Sequence, residues 1–472
     1  MRPALMLSVA ALALAVPAVA QRSMPTTSVA VDPAVAKARD AALKDDVAWD
    51  VLEGLTTEVG QRLAATEAEA RARAWAVVKL KALGFKNVHI ETYTMPVWVR
   101  GEEKAEIVGP YPQKLTLAAL GRSGATPPEG ITAPVVYFPT FNDLLAAPDG
   151  SLTGKIAFVS NQMKAAQDGS GYGAYGAARF IGANVAAKKG AAAIVIRSIG
   201  SDKGRWPHTG GTNFAPGVTP IPAAALSVAD AEQLERIFKR TDKVVLHLTL
   251  TPKTLPDAES GNVVAEVPGT DPNAGVIVIG GHLDSWDLGT GAIDDAAGVA
   301  ITTAAAHRIM QAGRPRRTIR VVLFGAEEVG GGGGPTHFRL NNPTGNAVMV
   351  GESDFGADRV WRVEFSFAPA NAPLADRIAA ALAPLGIVRG TDPATAGADL
   401  GAWVRAGTAG IDLNQDGTRY FDYHHTPDDT LDKVDPVQLR QNVAAWTAVL
   451  SILANAPERI EGIPAAPPRQ RQ

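Results

Sequence analysis

Histidines and carboxylates recur in four short blocks of this sequence. Gly280-Gly281-His282-Leu283-Asp284-Ser285-Trp286-Asp287 runs on through Gly289 to Asp294-Asp295 and follows the apolar run Val276 to Ile279. Phe324-Gly325-Ala326-Glu327-Glu328 closes a second apolar run, and Met349 to Asp354 ends in Glu352-Ser353-Asp354. Tyr423-His424-His425-Thr426-Pro427-Asp428-Asp429-Thr430 lies near the carboxyl end. Acids gathered behind buried strands need an explanation, because an unpaired buried charge is costly. A pair of divalent cations supplies one: imidazole and carboxylate ligands suit zinc, and two neighbouring ions clamp a hydrolytic transition state. Such a centre needs a bridging acid, terminal ligands on each ion and a general base that is not itself a ligand. Cys is 0, which excludes disulfides, thiolate zinc sites and a cysteine nucleophile.

The elements that must position these groups read as strand, loop and helix in alternation from Asn262 onward. Val276 to Ile279 and Ile319 to Phe324 are predicted as buried strands, with Gly298 to Met310 as a helix. Continuous apolar strands alternating with helices imply an α/β fold with a mainly parallel sheet covered by helices on both faces. Ligands of such sheets sit beyond the carboxyl ends of the strands, where the first three blocks begin. Residues 33–84 read as helical and Val88 to Tyr93 as a strand. Short strand-like runs at Ile131 to Tyr137, Lys155 to Ser160 and Ala191 to Ile196 differ in character and predict an inserted αβ domain. The expected organisation is a signal peptide (1–20), the amino-terminal part of the main domain (21–110), the insertion (111–257), the main part (258–460) and a tail (461–472).

With 472 residues, two or three domains are expected. Lys+Arg 45 against Asp+Glu 48 leaves a charge of −3, which argues against a nucleic-acid partner. Arg2, the apolar run from Ala4 to Ala15 and the small residues up to Ala20 form a secretory signal, with cleavage expected after Ala20 and a periplasmic or secreted product. No other segment is apolar for long enough to span a membrane.

Taken together, the four blocks match in order and spacing the M28 family of zinc peptidases, and the chain most resembles the plasma glutamate carboxypeptidase branch of it. The likeness runs from about residue 57 to 455 and implies a zinc-exopeptidase (phosphorylase/hydrolase-like) fold carrying a protease-associated insertion. It implies two Zn²⁺ per chain: Asp294 bridging, His282 and Asp354 on one ion, Glu328 and His425 on the other. Glu327 would be the general base, and Asp284 would orient the His282 imidazole. His424, in a place where a Tyr often stands, or Tyr423 beside it, would polarise the scissile carbonyl. Asp399 matches a family acid near the pocket, and His208 lies on a loop of the insertion that could reach the cleft. Asp295 is expected to cap a helix or support the site without binding metal. The implied activity is hydrolysis of dipeptides or short peptides with a free amino terminus by an aminopeptidase or dipeptidase, with a homodimer as the implied assembly. A zinc carboxypeptidase of the glutamate carboxypeptidase type is the alternative, followed by a glutaminyl cyclase-like relative and a noncatalytic binding protein on the same fold. The filled ligand positions weigh against these last two.

Overall fold

The computed structural model describes residues 29–329, 333–342 and 346–464. The cleavage site expected after Ala20 and most of the expected tail lie outside the described residues. In chain order the described strands are β1 (Lys86–Val99), β2 (Glu103–Gly109), β3 (Gln113–Leu115), β4 (Leu117–Ala119), β5 (Ile131–Phe138), β6 (Ile156–Val159), β7 (Ala193–Arg197), β8 (Ala223–Leu226), β9 (Val245–Leu250), β10 (Lys253–Val267), β11 (Val276–His282), β12 (Thr318–Phe324), β13 (Ala347–Glu352), β14 (Val360–Phe365), β15 (Val388–Arg389) and β16 (Ala409–Gln415).

They form two eight-stranded sheets, one ordered β1-β10-β12-β11-β13-β16-β14-β15 and the other β3-β2-β9-β5-β6-β7-β8-β4. The centre of the first sheet, β12-β11-β13-β16, is parallel throughout. Towards its two edges, β1, β10 and β14 pair antiparallel. The expected parallel sheet is therefore its core, within a mixed α/β sheet. Burial explains the division: β11 is covered along nearly its whole length, whereas β1 alternates between cover and solvent.

Side-chain alternation divides the central strands between two apolar layers. Ile277, Ile279, Val321, Leu323 and Met349 face one layer, with the helices Ala297–Ala312 and Pro436–Leu453 packed upon it. Val278, Val322, Phe324 and Val350 face the other, closed by Phe338, Leu400 and Trp403 from the helices Gly334–Asn341 and Gly397–Arg405. The helix Ala297–Ala312 is covered on all sides as far as Ala306, which is why that part of it is rich in Ala and lacks a charged face.

The second sheet is built wholly from β2 to β9, so its unit begins and ends earlier in the chain than 111–257. Glu103 pairs with Leu250 across β2 and β9, and Lys253 already pairs with Val99 in the first sheet. Both pairings join residues far apart in sequence, which local periodicity does not register. The stretch 33–84 is likewise not one helix: Pro33–Ala42, Val47–Gly54 and Glu67–Ala82 are separate, with Thr66 capping the last through Glu69 N.

Candidate metal centre and active site

Parallel register brings the four blocks together. His282 lies opposite Phe324, and Gly280 opposite Glu352, so the loops after β11, β12 and β13 leave the sheet side by side. The chain after β16 returns through the short helix Tyr420–Tyr423 to His424 and His425. Asp294 stands at the middle. Its Oδ1 is 3.1 Å from His282 Nε2, and Asp354 Oδ1 is 3.5 Å from the same nitrogen. Its Oδ2 is 3.2 Å from His425 Nε2, which lies 3.0 Å from Glu328 Oε2. All five side chains predicted as ligands thus converge in two lobes that share Asp294.

Several close approaches in the cluster are not aligned as hydrogen bonds. Among the described residues, Asp294 Oδ2, Glu328 Oε1 and Asp354 Oδ1 are buried without a partner, a state that polar atoms rarely keep. Both imidazoles turn Nε2 inward and use Nδ1 elsewhere, His282 at 3.0 Å from the Asp284 carbonyl and His425 at 3.3 Å from the Thr209 carbonyl. Orphaned carboxylate oxygens and imidazoles that turn Nε2 inward are what a pair of divalent cations requires, so the residues fit the group. Burial would push the Asp294 carboxyl up, but His282 and His425 hold it well below the usual carboxylate range. Burial and the neighbouring charges of Glu328 and Asp354 push Glu327 well above that range.

Asp284 stands beside His282 as expected, with its Oδ1 3.4 Å from His282 Nδ1, and does more. Its carbonyl lies 3.0 Å from the same nitrogen, while Oδ1 and Oδ2 accept from Glu327 N (3.0 Å) and Glu328 N (3.3 Å). It fixes the backbone that carries the base and a ligand. Asp295 accepts from His282 N and from Gly298 N at the start of the helix Ala297–Ala312, a supporting role as expected. Space for it exists only because its neighbours are glycines: a Cβ would lie 2.4 Å from Asp295 Oδ2 at Gly281, and 2.4 Å from Asp295 Oδ1 and 1.7 Å from Ser353 O at Gly298.

His424 stacks on His425 with centroids 3.5 Å apart, and its Nε2 is 3.4 Å from Asp294 Oδ2. Burial and the adjacent His425 hold it well below the usual histidine range, so it is a neutral imidazole in the metal-free chain. Its Nδ1 has no partner. Tyr423 does not join it: its ring lies under Arg419 and Lys433 in a separate hollow, because the turn of Tyr420–Tyr423 directs it away. His208 is buried and does not line the main cavity. It joins Asp202 Oδ2 to the His424 carbonyl at 2.7 Å each, bracing the histidine pair from the second unit. Asp399 is buried next to Glu352, whose Oε2 accepts from Asp399 N, and both its own oxygens lack partners. It borders a hollow lined by Arg339 and Arg405 on the far side of Ala398.

The cavity over the cluster holds about 370 Å³. Its floor carries Asp294, Glu327, Glu328 and Asp354, and its walls include Tyr172, Arg179 and Arg122 of the second unit. Sequence reasoning missed these three, since no local pattern marks a side chain that reaches a site built by another unit.

Comparison with known proteins follows the same lines. Residues 262–450 match the model of peptidase family M28. Carboxypeptidase Q of Bos taurus is 36% identical over 415 residues, which span 87% of this chain and 86% of that protein. A crystal structure of a peptidase M28 precursor from Shewanella amazonensis SB2B superimposes with a TM-score of 0.89 at 43% identity, over 91% of this chain and 98% of the other. An aminopeptidase from Aneurinibacillus sp. strain AM-1 shares the fold, with a TM-score of 0.62 at 21% identity over 90% of this chain and 96% of that one.

Proposed function

From the premise that the chain belongs to peptidase family M28 and is a metallopeptidase, we propose that it is a co-catalytic di-zinc exopeptidase acting on dipeptides or short peptides with a free amino terminus. The observation that carries this reading is Asp294, whose two oxygens face two imidazoles, with three buried carboxylate oxygens of the cluster left without hydrogen bonds. His282 and Asp354 would hold one ion, Glu328 and His425 the other, and Asp294 both. Bound there, the ions would supply Lewis acidity and lower the pKa of the attacking water to about 7.

The protein's own groups do the rest. Glu327, held by Asp284 through its backbone, takes a proton from the attacking water and returns it to the leaving amine, a role suited to a carboxyl whose affinity for protons is raised. His424 presents its imidazole towards the cavity, where it can donate to the scissile carbonyl oxygen. The acidic floor receives the substrate ammonium, and the small cavity roofed by the second unit admits a short peptide while excluding a folded chain. Export is part of the proposal: it rests on residues 1–20, and among the described residues no helix is long and apolar enough to cross a membrane.

Carboxypeptidase action is the second reading, favoured by the name of the mammalian relatives. Assay of zinc-loaded protein on free and N-acetylated dipeptides separates the two: hydrolysis confined to the free amines supports the proposal, and equal cleavage of the acetylated substrates refutes it.

A further inference from the structure

The two arginines lining the cavity are not equivalent. Arg179 is engaged: its Nη1 donates to the Thr209 carbonyl at 3.3 Å and lies 3.0 Å from His425 Nδ1. Its guanidinium also covers the rings of Tyr172 and Phe180, with centroids at 5.3 and 4.5 Å. Arg122 is free. Among the described residues its guanidinium makes no ion pair, and its Nε is buried without a partner. Burial pulls it below the usual arginine range.

The turn that carries Arg122 is rigid. Its φ is 67°, a left-handed conformation that costs a residue with a side chain energy and points to a positional requirement. Ser123 N donates to Leu120 O, and Gly121 is tied on both sides, its N to Gly210 O (2.9 Å) and its O to Thr212 N (3.0 Å). A Cβ on Gly121 would lie 2.2 Å from the Trp286 ring, so the turn sits flush against the loop that follows His282. Arg122 Nη2 and the Glu328 carbonyl lie 3.5 and 3.8 Å from where a Cβ on Gly211 would be, so the guanidinium and the segment bearing the base both border Gly211.

The cavity is therefore polar end to end: acids on its floor, one uncommitted cation on its wall. A dipeptide has the same polarity, and its terminal carboxylate is a single residue, about 3.8 Å between Cα atoms, beyond the scissile bond. We propose that Arg122 binds the α-carboxylate of the departing residue and so restricts the enzyme to dipeptides. The assignment rests on the exopeptidase reading above. It makes Arg122 a specificity residue that touches substrate, with a planar fork suited to a carboxylate.

The test compares kcat/KM of the zinc-loaded full chain for Ala-Leu, Ala-Leu amide and Ala-Glu amide. The wild type is expected to favour the free acid over its amide by roughly 30-fold or more, chiefly through KM, as for other hydrogen-bonded charge pairs. Arg122→Ala should bring that ratio to within a few-fold of one, and Arg122→Lys should leave it intermediate, with zinc content and melting temperature checked for each. A wild-type ratio near one overturns the assignment whether or not the variants fold, and so does a ratio that Arg122→Ala leaves unchanged. A preference for Ala-Glu amide over Ala-Leu amide that vanishes in Arg122→Ala also overturns it, by making a side-chain carboxylate the ligand. Failure of the wild type to cleave any of the three instead removes the exopeptidase reading itself.

Discussion

Asp294 and Glu327 lie in the same pocket yet have opposite electrostatic surroundings. Asp294 has an imidazole on each side that holds its carboxyl below the usual range, while burial and the acids around Glu327 push its carboxyl up. The first environment suits a bridging ligand and the second a proton carrier. Glu327→Gln should therefore retain both metals while kcat falls by about 10³-fold or more; Asp294→Ala should lose metal together with activity. Elemental analysis beside turnover reads both variants, and an active Glu327→Gln with full metal would remove that residue from the mechanism. Asp284 holds the peptide N–H groups of Glu327 and Glu328 in one carboxylate, so the base and its neighbouring ligand keep a fixed separation.

Among the elements, the junction between β11 and the helix Ala297–Ala312 carries the tightest constraint. Asp295 reaches across it to both elements, and the Ser353 carbonyl of the β13 loop occupies the space beside Gly298. A methyl group there would meet backbone, which cannot rotate away. Gly298→Ala is expected to destabilise the fold by about 1–3 kcal/mol and to weaken metal binding, because Asp294 and Asp354 flank the displaced segment. Urea unfolding and zinc titration measure the two effects; a variant with wild-type values in both would show that the junction yields. The histidine pair depends on another element in the same way, through His208 and through Thr209 N on the His425 carbonyl at 3.0 Å.

The whole molecule stores buried acids beyond the metal cluster. Burial pushes Glu69 to about 8 against Arg73, and burial with the charge of Asp294 pushes Asp429 to about 8. Their ordinary values are 4.5 and 3.8, so the folded chain keeps protons that the unfolded chain has released. Stability from these groups is complete below their ordinary range and is lost as pH rises through about 8. After chelation the urea midpoint should fall between about pH 5 and about pH 8.5, and Glu69→Gln should flatten that slope; a midpoint rising over this interval would contradict it. Readdition of zinc should raise the midpoint, since a ligand bound only by the folded chain stabilises it by mass action.

The sequence alone determined the ligand blocks, their order, and the apolar runs Val276 to Ile279 and Ile319 to Phe324 that became β11 and β12. These were legible because a buried strand and the acids at its end are local features, set by hydrophobic periodicity and residue type. Tertiary structure decided what depends on distant partners: the pairing of Glu103 with Leu250 that moved the boundaries of the second unit, the orientation of Tyr423 away from the cavity, and His208 bracing a carbonyl instead of lining the cleft. It also decided the arrival of Arg122, Tyr172 and Arg179 at the active site. Which side chain faces which is fixed by packing between distant segments, 216 residues apart for His208 and His424, and no local pattern of residues encodes that.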